Sequence, residues 1–502
     1  MASYSSVGGA SGNSSDAGSR GRRRRSSRSA KDLNFTGQAS WFSSNVNLVN
    51  TIIGAGTLAM PLAMSHFGIL LGTFVIIWSG MTAAFGLYLQ TRCARYLERG
   101  TSSFFALSQI TYPNAAVIFD AAIAIKCFGV GVSYLIIIGD LMPGVVRGFN
   151  PGADAVPFLV DRHFWVTVFM LVVIPLSFLR RLDSLKYTSI IALISIGYLV
   201  VLVVFHFVKG DTKTDRGDIR VIAWGGLIPA LKSFPVIVFA YTCHQNMFSI
   251  LNEIKDNSHR QTTSVIAASI GSAASVYVLV AITGYLSFGN KVIGNIVGMY
   301  VPSIASTIAK AAIVILVMFS YPLQVHPCRA SVDAVLKWRP NNLTKPRNSP
   351  SSSPARAIPL LGGSGAQPVA RNDTIGELRF AIITTAIIIL SYTAAMTVSS
   401  LDKVLAYVGS TGSTSISFIL PGLFYYKISS PESLHHQRLS KDDDEGDSGD
   451  EEEEGNSGRT GFGSSQWRQA LLRKMSLALA IYGLFVMILC LGTNLFAGAA
   501  GH

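Results

Sequence analysis

Charge is scarce in this chain. Only 14% of its 502 residues are Asp, Glu, Lys or Arg, against 49% hydrophobic, and the mean hydropathy is +0.41. Soluble domains carry about 25% charge, so most of this chain is expected to lie in lipid. Cysteine is scarce too. Cys93, Cys127, Cys243, Cys328 and Cys490 are scattered. None forms a CxxC pair and none falls in an expected external loop, which argues against a structural disulfide and a metal site. Catalytic signatures are missing. There is no GxxxxGK[ST] loop to hold ATP phosphates, and no HExxH or GxSxG run. An enzyme and a directly ATP-driven pump therefore have no basis in the sequence, and no cofactor is expected. The start of the chain is polar and lacks the apolar core of a cleaved leader. The first apolar segment is thus expected to stay as a helix.

What the chain does have is long apolar stretches. A spanning helix needs about 20 mainly apolar residues. Eleven stretches qualify: 45–67, 69–91, 114–140, 163–180, 187–208, 225–252, 263–287, 304–326, 380–398, 403–426 and 472–497. The expected fold class is an all-α polytopic membrane protein with eleven transmembrane helices.

Basic residues set the orientation, because Lys and Arg accumulate on the cytoplasmic side. The N-terminal tail carries Arg20, Arg22, Arg23, Arg24, Arg25, Arg28 and Lys31. With that tail inside, the even-numbered junctions should be basic. They hold Arg92, Arg95 and Arg99; Arg180, Arg181 and Lys186; Lys255 and Arg260; and a run from Arg329 to Arg371. The net charge of +13 therefore reads as a topology signal. Nucleic acid is excluded as a partner, since the basic residues lack interleaved aromatics. Residues 1–38, 340–372 and 430–466 are polar or acidic and expected to be disordered. The domain layout is a basic tail at 1–38, a membrane core at 39–330 and a cytoplasmic loop at 331–377. Two spans follow at 378–427, then an acidic loop at 428–468 and the last helix with its short end at 469–502. Serines near Arg22 to Arg28 are either solvated or phosphorylation sites that would weaken attraction to anionic lipid. The sequons at Asn13, Asn34, Asn342 and Asn372 all fall on expected cytoplasmic segments, so none should carry glycan.

The first span, NVNLVNTIIGAGTLAMPLAM, carries Gly54-Ala55-Gly56 at its centre and Pro61 beyond. Each glycine weakens a helix by on the order of 1 kcal/mol. Non-helical backbone at membrane depth is tolerated where it lines a cavity. The sixth span repeats the theme. Its middle, Phe239-Ala240-Tyr241-Thr242-Cys243-His244-Gln245-Asn246, is unusually polar, and Pro229 and Pro235 precede it. If each broken span opens a five-helix unit, one starts inside and the other outside, so the units are inverted, and the eleventh span stands apart. Interrupted helices at matching positions of inverted repeats point to the binding site of a secondary transporter.

NLVNTIIGAGTLAMPLAM, KCFGVGVSYLIIIGDLMPGVV and FSYPLQVHPCR together resemble the amino acid/auxin permease family, and within it the fungal vacuolar amino acid transporters. The similarity covers about residues 38–330 and 378–427. It implies a LeuT-like fold of two inverted five-helix repeats plus one helix, and amino acid symport driven by a cation gradient.

A zwitterion at mid-membrane needs donors for its carboxylate and acceptors for its ammonium. Amides around Gly54, Ala55, Gly56 and Thr57 would start the second half-helix, at a positive dipole end suited to a carboxylate. Carbonyls near Thr51 and Ile52 would suit the ammonium or a small cation. Small residues here also allow close helix packing, though Gly54-x-Gly56 is not the small-xxx-small spacing. Phe128 and Tyr134 of the third span, with Phe239, Tyr241 and Thr242 of the sixth, are candidate lining residues; membrane aromatics also serve as packing and interface belts. No obvious arginine is buried in the core, which favours neutral substrates.

Four residues are candidates for ion coupling. Asn50 and Ser320 match positions that form the ion site in sodium-coupled relatives, so the resemblance allows Na⁺ as well as H⁺; Asn50 could equally cap or bridge helices. Lys126 lies deep in the third span, where ionisable groups are costly and usually functional. His244 sits in the sixth-span break, where it is either a proton relay or a satisfied polar residue. Asp120 and Asp140 lie near the ends of the third span, and Lys232 and Lys310 read as interfacial. The expected partners are an amino acid, H⁺ or Na⁺ and the bilayer, with no obligate protein partner. The expected location is the vacuolar membrane with the N-terminus in the cytosol, or alternatively the plasma membrane. Two other classes remain open: a sensor that uses the same pocket, and a channel.

Overall fold

The structure, a computed structural model, describes residues 37–150, 152–179, 188–337, 376–433, 436–437 and 461–499. Most of the three stretches expected to be disordered lies outside these residues. So do the four sequons, the arginines of the tail, and Arg180, Arg181 and Lys186.

The described residues form helices with no strand. The first span is α1 (Trp41–Ile52) followed by α2 (Ala55–Phe67). Then come α3 (Ile69–Ala94), a short α4 (Phe104–Thr111), α5 (Ala116–Phe149), α6 (Arg162–Ser177) and α7 (Thr188–Lys209). The sixth span divides into α8 (Leu227–Ala240) and α9 (His244–Glu253). It is followed by α10 (His259–Phe288), α11 (Ile296–Met299), α12 (Ile304–Lys337) and α13 (Glu377–Thr397). The tenth span starts as α14 (Leu401–Val408), widens into two π-helical stretches, Gly409–Ser413 and Ser415–Ile419, and ends as α15 (Leu420–Ile428). The last helix is α16 (Gly461–Ala499).

Short polar side chains set several starts. Ser40, Ser103, Asp161 and Ser258 each accept a hydrogen bond from an amide three residues on, at the heads of α1, α4, α6 and α10, as N-cap residues do. Among the described residues, with α8 and α9 taken as one, eight helices are long and apolar enough to cross a membrane, or nine when α1 and α2 are taken as one span bent by 55°. The fourth expected span is a helix of only 16 residues, and the tenth is interrupted, so length and apolarity alone do not establish eleven. Two expected boundaries shift. Helix α12 runs on to Lys337 because Asp333, buried near its end, pairs with Lys337 and Arg379. Helix α16 begins at Gly461, inside the stretch 430–466 expected to be disordered.

Large apolar side chains are exposed along one face of α3 (Leu70, Phe74, Ile77, Trp78, Met81) and of α16 (Ile481, Leu484, Phe485, Ile488). Stripes this long on a folded chain are the surface that meets lipid acyl chains. Inside, α5 runs along α12 in the most extensive helix contact, and α2 packs on α8 and α10. The two broken spans thus lie side by side at the centre of the bundle.

Candidate functional site at the helix breaks

The first span parts after Ile52. Ile53 turns to extended backbone (φ −79°, ψ 105°), and Gly54 at φ −158°, ψ −137° precedes the renewed helix at Ala55. The ladder is not wholly lost. The Ile53 amide still donates to the Val49 carbonyl at 2.8 Å, and the Thr57 amide donates to the Gly54 carbonyl at 3.0 Å. The donors that by position have no intrahelical acceptor are the leading amides of α2, at Ala55 and Gly56. Thr57, expected to contribute a free amide, has its amide paired.

A cavity of about 70 Å³ opens on this break, several times the space one water needs. Its walls are Asn50, Thr51, Ile53, Gly54, Ala55 and Leu58 of the first span and Tyr134 of α5. Ala192, Ile196 and Leu199 of α7 form another side, with Ile313, Leu316, Val317, Ser320 and Leu323 of α12 closing the ring. None of these residues is charged. Any charge on a ligand here would be met by backbone dipoles and neutral oxygens. The Asn50 side-chain oxygen is buried with no hydrogen-bond partner among the described residues. The Ser320 hydroxyl donates to the Leu316 carbonyl at 2.8 Å, which leaves its own oxygen able to accept. A cation and a zwitterion both have suitable groups in this cavity.

Six residues singled out from the sequence border the cavity: Asn50, Thr51, Gly54, Ala55, Tyr134 and Ser320. The others lie elsewhere. Ile52 is buried, and its carbonyl accepts a hydrogen bond from the Tyr277 hydroxyl at 2.7 Å. Gly56 is pressed against Ala240 of α8. Phe128 is packed against the apolar core. Phe239 and Tyr241 are buried beside the second break, and Tyr241 meets Tyr277 edge to face with centroids 5.1 Å apart. Thr242 donates to the Val238 carbonyl and accepts from Ser417.

The second break is Tyr241 to Cys243, three residues between α8 and α9. His244 is fully buried, and its Nε2 donates to the Ala83 carbonyl of α3 at 3.1 Å. Lys126 is buried on α5, where Gly412 of the π-helical stretch closes over its Cβ. Neither Lys126 nor His244 borders the cavity that holds Asn50 and Ser320.

Apart from Ser320, sequence reasoning missed the walls from α7 and α12. Ala192, Ile196 and Leu199 follow a four- and three-residue step, and Ile313, Leu316, Val317, Ser320 and Leu323 lie on one helical face. The periodicity was visible, but an apolar face in a membrane helix reads equally as packing.

Residues 37–443 match the family model described as transmembrane amino acid transporter protein. The chain belongs to this family. It is 41% identical over 464 residues to vacuolar amino acid transporter 5 of Schizosaccharomyces pombe, covering 91% of this chain and 95% of that protein. It is also 41% identical over 411 residues to vacuolar amino acid transporter 6 of Saccharomyces cerevisiae, covering 78% of this chain and 90% of that protein. Among solved structures it resembles MhsT in complex with L-phenylalanine, with TM-score 0.51 at 10% identity, covering 90% of this chain and 99% of the other. That likeness establishes the fold: the LeuT-like arrangement of two inverted five-helix repeats. The family is one of transporters, not of enzymes.

Proposed function

We propose that this protein is a secondary active transporter that carries amino acids, chiefly neutral ones, across the vacuolar membrane. Transport is driven by a cation gradient, H⁺ in the leading reading, through alternating access around the parted first span. The observation that carries this reading is the opening of the Ile53–Gly54 break onto a cavity with no charged wall. A zwitterion needs no net countercharge. Its carboxylate meets the leading amides of α2 at the positive end of the helix dipole. Its ammonium meets the Thr51 hydroxyl and carbonyls at the end of α1. The vacuolar relatives support the membrane assigned, and the basic junctions support a cytosolic N-terminus. The same topology would let H⁺ symport drain amino acids from an acidic lumen.

A second reading, coupling to Na⁺, is favoured by one observation. Asn50 and Ser320 present neutral oxygens to the cavity, which is the ligand chemistry of a hard cation and not of a proton relay. Uptake into proteoliposomes with separately imposed H⁺ and Na⁺ gradients, across a panel of amino acids, decides between the two. Accumulation that follows one gradient names the ion. Saturable binding without flux would turn the reading into a sensor, and flux that never accumulates substrate against a gradient would make it a channel.

A further inference from the structure

Tyr277, on α10, touches both breaks. Its ring is fully buried. Its hydroxyl oxygen lies 2.7 Å from the Ile52 carbonyl, the last of α1, and 2.8 Å from the Ala240 carbonyl, the last of α8. A phenol carries one hydrogen and can donate fully to one acceptor at a time. Two carbonyls from two different repeats therefore share a single donor. A buried carbonyl left without a donor is costly, so neither break can move away from this hydroxyl without losing that share. Nor can the hydrogen satisfy one carbonyl without releasing the other.

We propose that Tyr277 is a positioning residue that couples the two broken spans during transport. Its hydroxyl hydrogen passes between the Ile52 and Ala240 carbonyls as the spans change their relative tilt. The two placements are near-equal alternatives, because the distances differ by only 0.1 Å (2.7 against 2.8 Å). Tyr241, set edge to face against the ring at 81°, holds the phenol in line with both breaks. The inference rests on the reading of the first break as the substrate site. It adds that the sixth span follows the first through a shared hydrogen bond and not through packing alone.

The test is Tyr277→Phe in the full-length protein, reconstituted in vesicles and also purified for binding. The maximal transport rate is expected to fall by roughly tenfold, equivalent to about 1.4 kcal/mol, while the Kd for a transported amino acid changes by less than about threefold. Tyr300→Phe, whose buried hydroxyl has no partner among the described residues, is expected to keep the wild-type rate. The five native cysteines are buried, so a cysteine placed at Leu323 reports cavity access by thiol labelling. Amino acid should change that labelling rate in the wild-type background and no longer do so with Tyr277→Phe. If Tyr277→Phe fails to fold, 3-fluorotyrosine at position 277 keeps the hydroxyl and makes it a stronger donor, and the transport rate should then shift. An unchanged rate with either replacement overturns the proposal, as does a fall in binding that matches the fall in rate. A wild-type protein that binds no amino acid would overturn the substrate site instead, and the two failures are therefore distinguishable.

Discussion

Gly56 of the first span and Ala240 of the sixth are in backbone contact across the centre of the bundle. A Cβ built on Gly56 would lie 2.5 Å from the Ala240 Cβ and 2.9 Å from its Cα. Gly54, two residues earlier, is the opposite case: a Cβ there would meet nothing within 4 Å. The two glycines of one short motif therefore do different work. Gly56 lets two spans approach, and Gly54 leaves room where the cavity opens. Gly56→Val forces the spans apart at an overpacking cost of about 1–3 kcal/mol and should remove both flux and much of the thermal stability. Gly54→Ala should leave the melting midpoint unchanged and raise the transport KM by roughly tenfold, because the methyl group takes substrate space. Uptake kinetics and thermal unfolding of the two variants check this. Equal loss of stability in both would count against the assignment.

Asn50 and Ser320 face one cavity from spans that are distant in sequence, and both bring neutral oxygen. Ser320→Ala removes one such oxygen, since among the described residues the hydroxyl bonds only to the Leu316 carbonyl of its own helix. The helix should stand without it. The expected result is normal expression and a roughly tenfold rise in the cation concentration needed for half-maximal uptake, with little change in maximal rate. Uptake titrated against Na⁺ and against H⁺ measures this. A variant with unaltered dependence on both ions would show that Ser320 takes no part in coupling.

Part of this candidate site is legible in the sequence. The break at Gly54 was readable because glycine at mid-membrane has a local energetic meaning. The second break was readable because Cys243, His244, Gln245 and Asn246 interrupt an apolar run. Other features depend on packing that no local signal encodes. Tyr277 is an ordinary aromatic in an apolar stretch until the fold brings Ile52 and Ala240 to its hydroxyl. The π-helical turns at Gly409–Ser413 and Ser415–Ile419 lie in a Ser-, Thr- and Gly-rich run whose widening depends on neighbours. Gly409 and Gly412 there have no room for a Cβ against Pro235 and Lys126. The sequence could also rank Lys126 and His244 as candidates for ion coupling, but it could not place them apart from Asn50 and Ser320.

That separation yields a prediction for Lys126. The side chain is buried beside the π-helical stretch and does not border the cavity. Holding a charge on a side chain this buried is costly. Lys126→Met keeps the length of the stem and removes the charge. The melting midpoint should rise, and the substrate KM should stay within about threefold of wild type, a difference under about 0.7 kcal/mol. If KM rises by far more, Lys126 acts on substrate over a distance the static arrangement does not account for.

Asp161 gives a pH prediction with a definite sign. It caps α6, accepting from the Phe164 amide at 2.8 Å. That backbone hydrogen bond, with smaller help from His163, holds its carboxyl below the usual carboxylate range. A depressed carboxylate contributes stability above its unfolded pKa of about 3.9 and loses it as pH falls through the lower folded value. The group is exposed and screened by solvent, so Asp161→Ala should cost toward the low end of about 0.5–2 kcal/mol for a lost cap. Asp161→Asn should cost little, because asparagine caps as well. The cap points to the face opposite the basic junctions, which the proposed topology puts in the acidic lumen. Mild acidity does not reach the titration range, so the stability gap between wild type and Asp161→Ala should be the same at neutral pH and at the pH of an acidic vacuole. It should close only below about pH 4. Thermal unfolding across that range measures the gap. A gap that narrows well above that range would mean that the carboxyl is not held low and that the cap is weaker than its geometry implies.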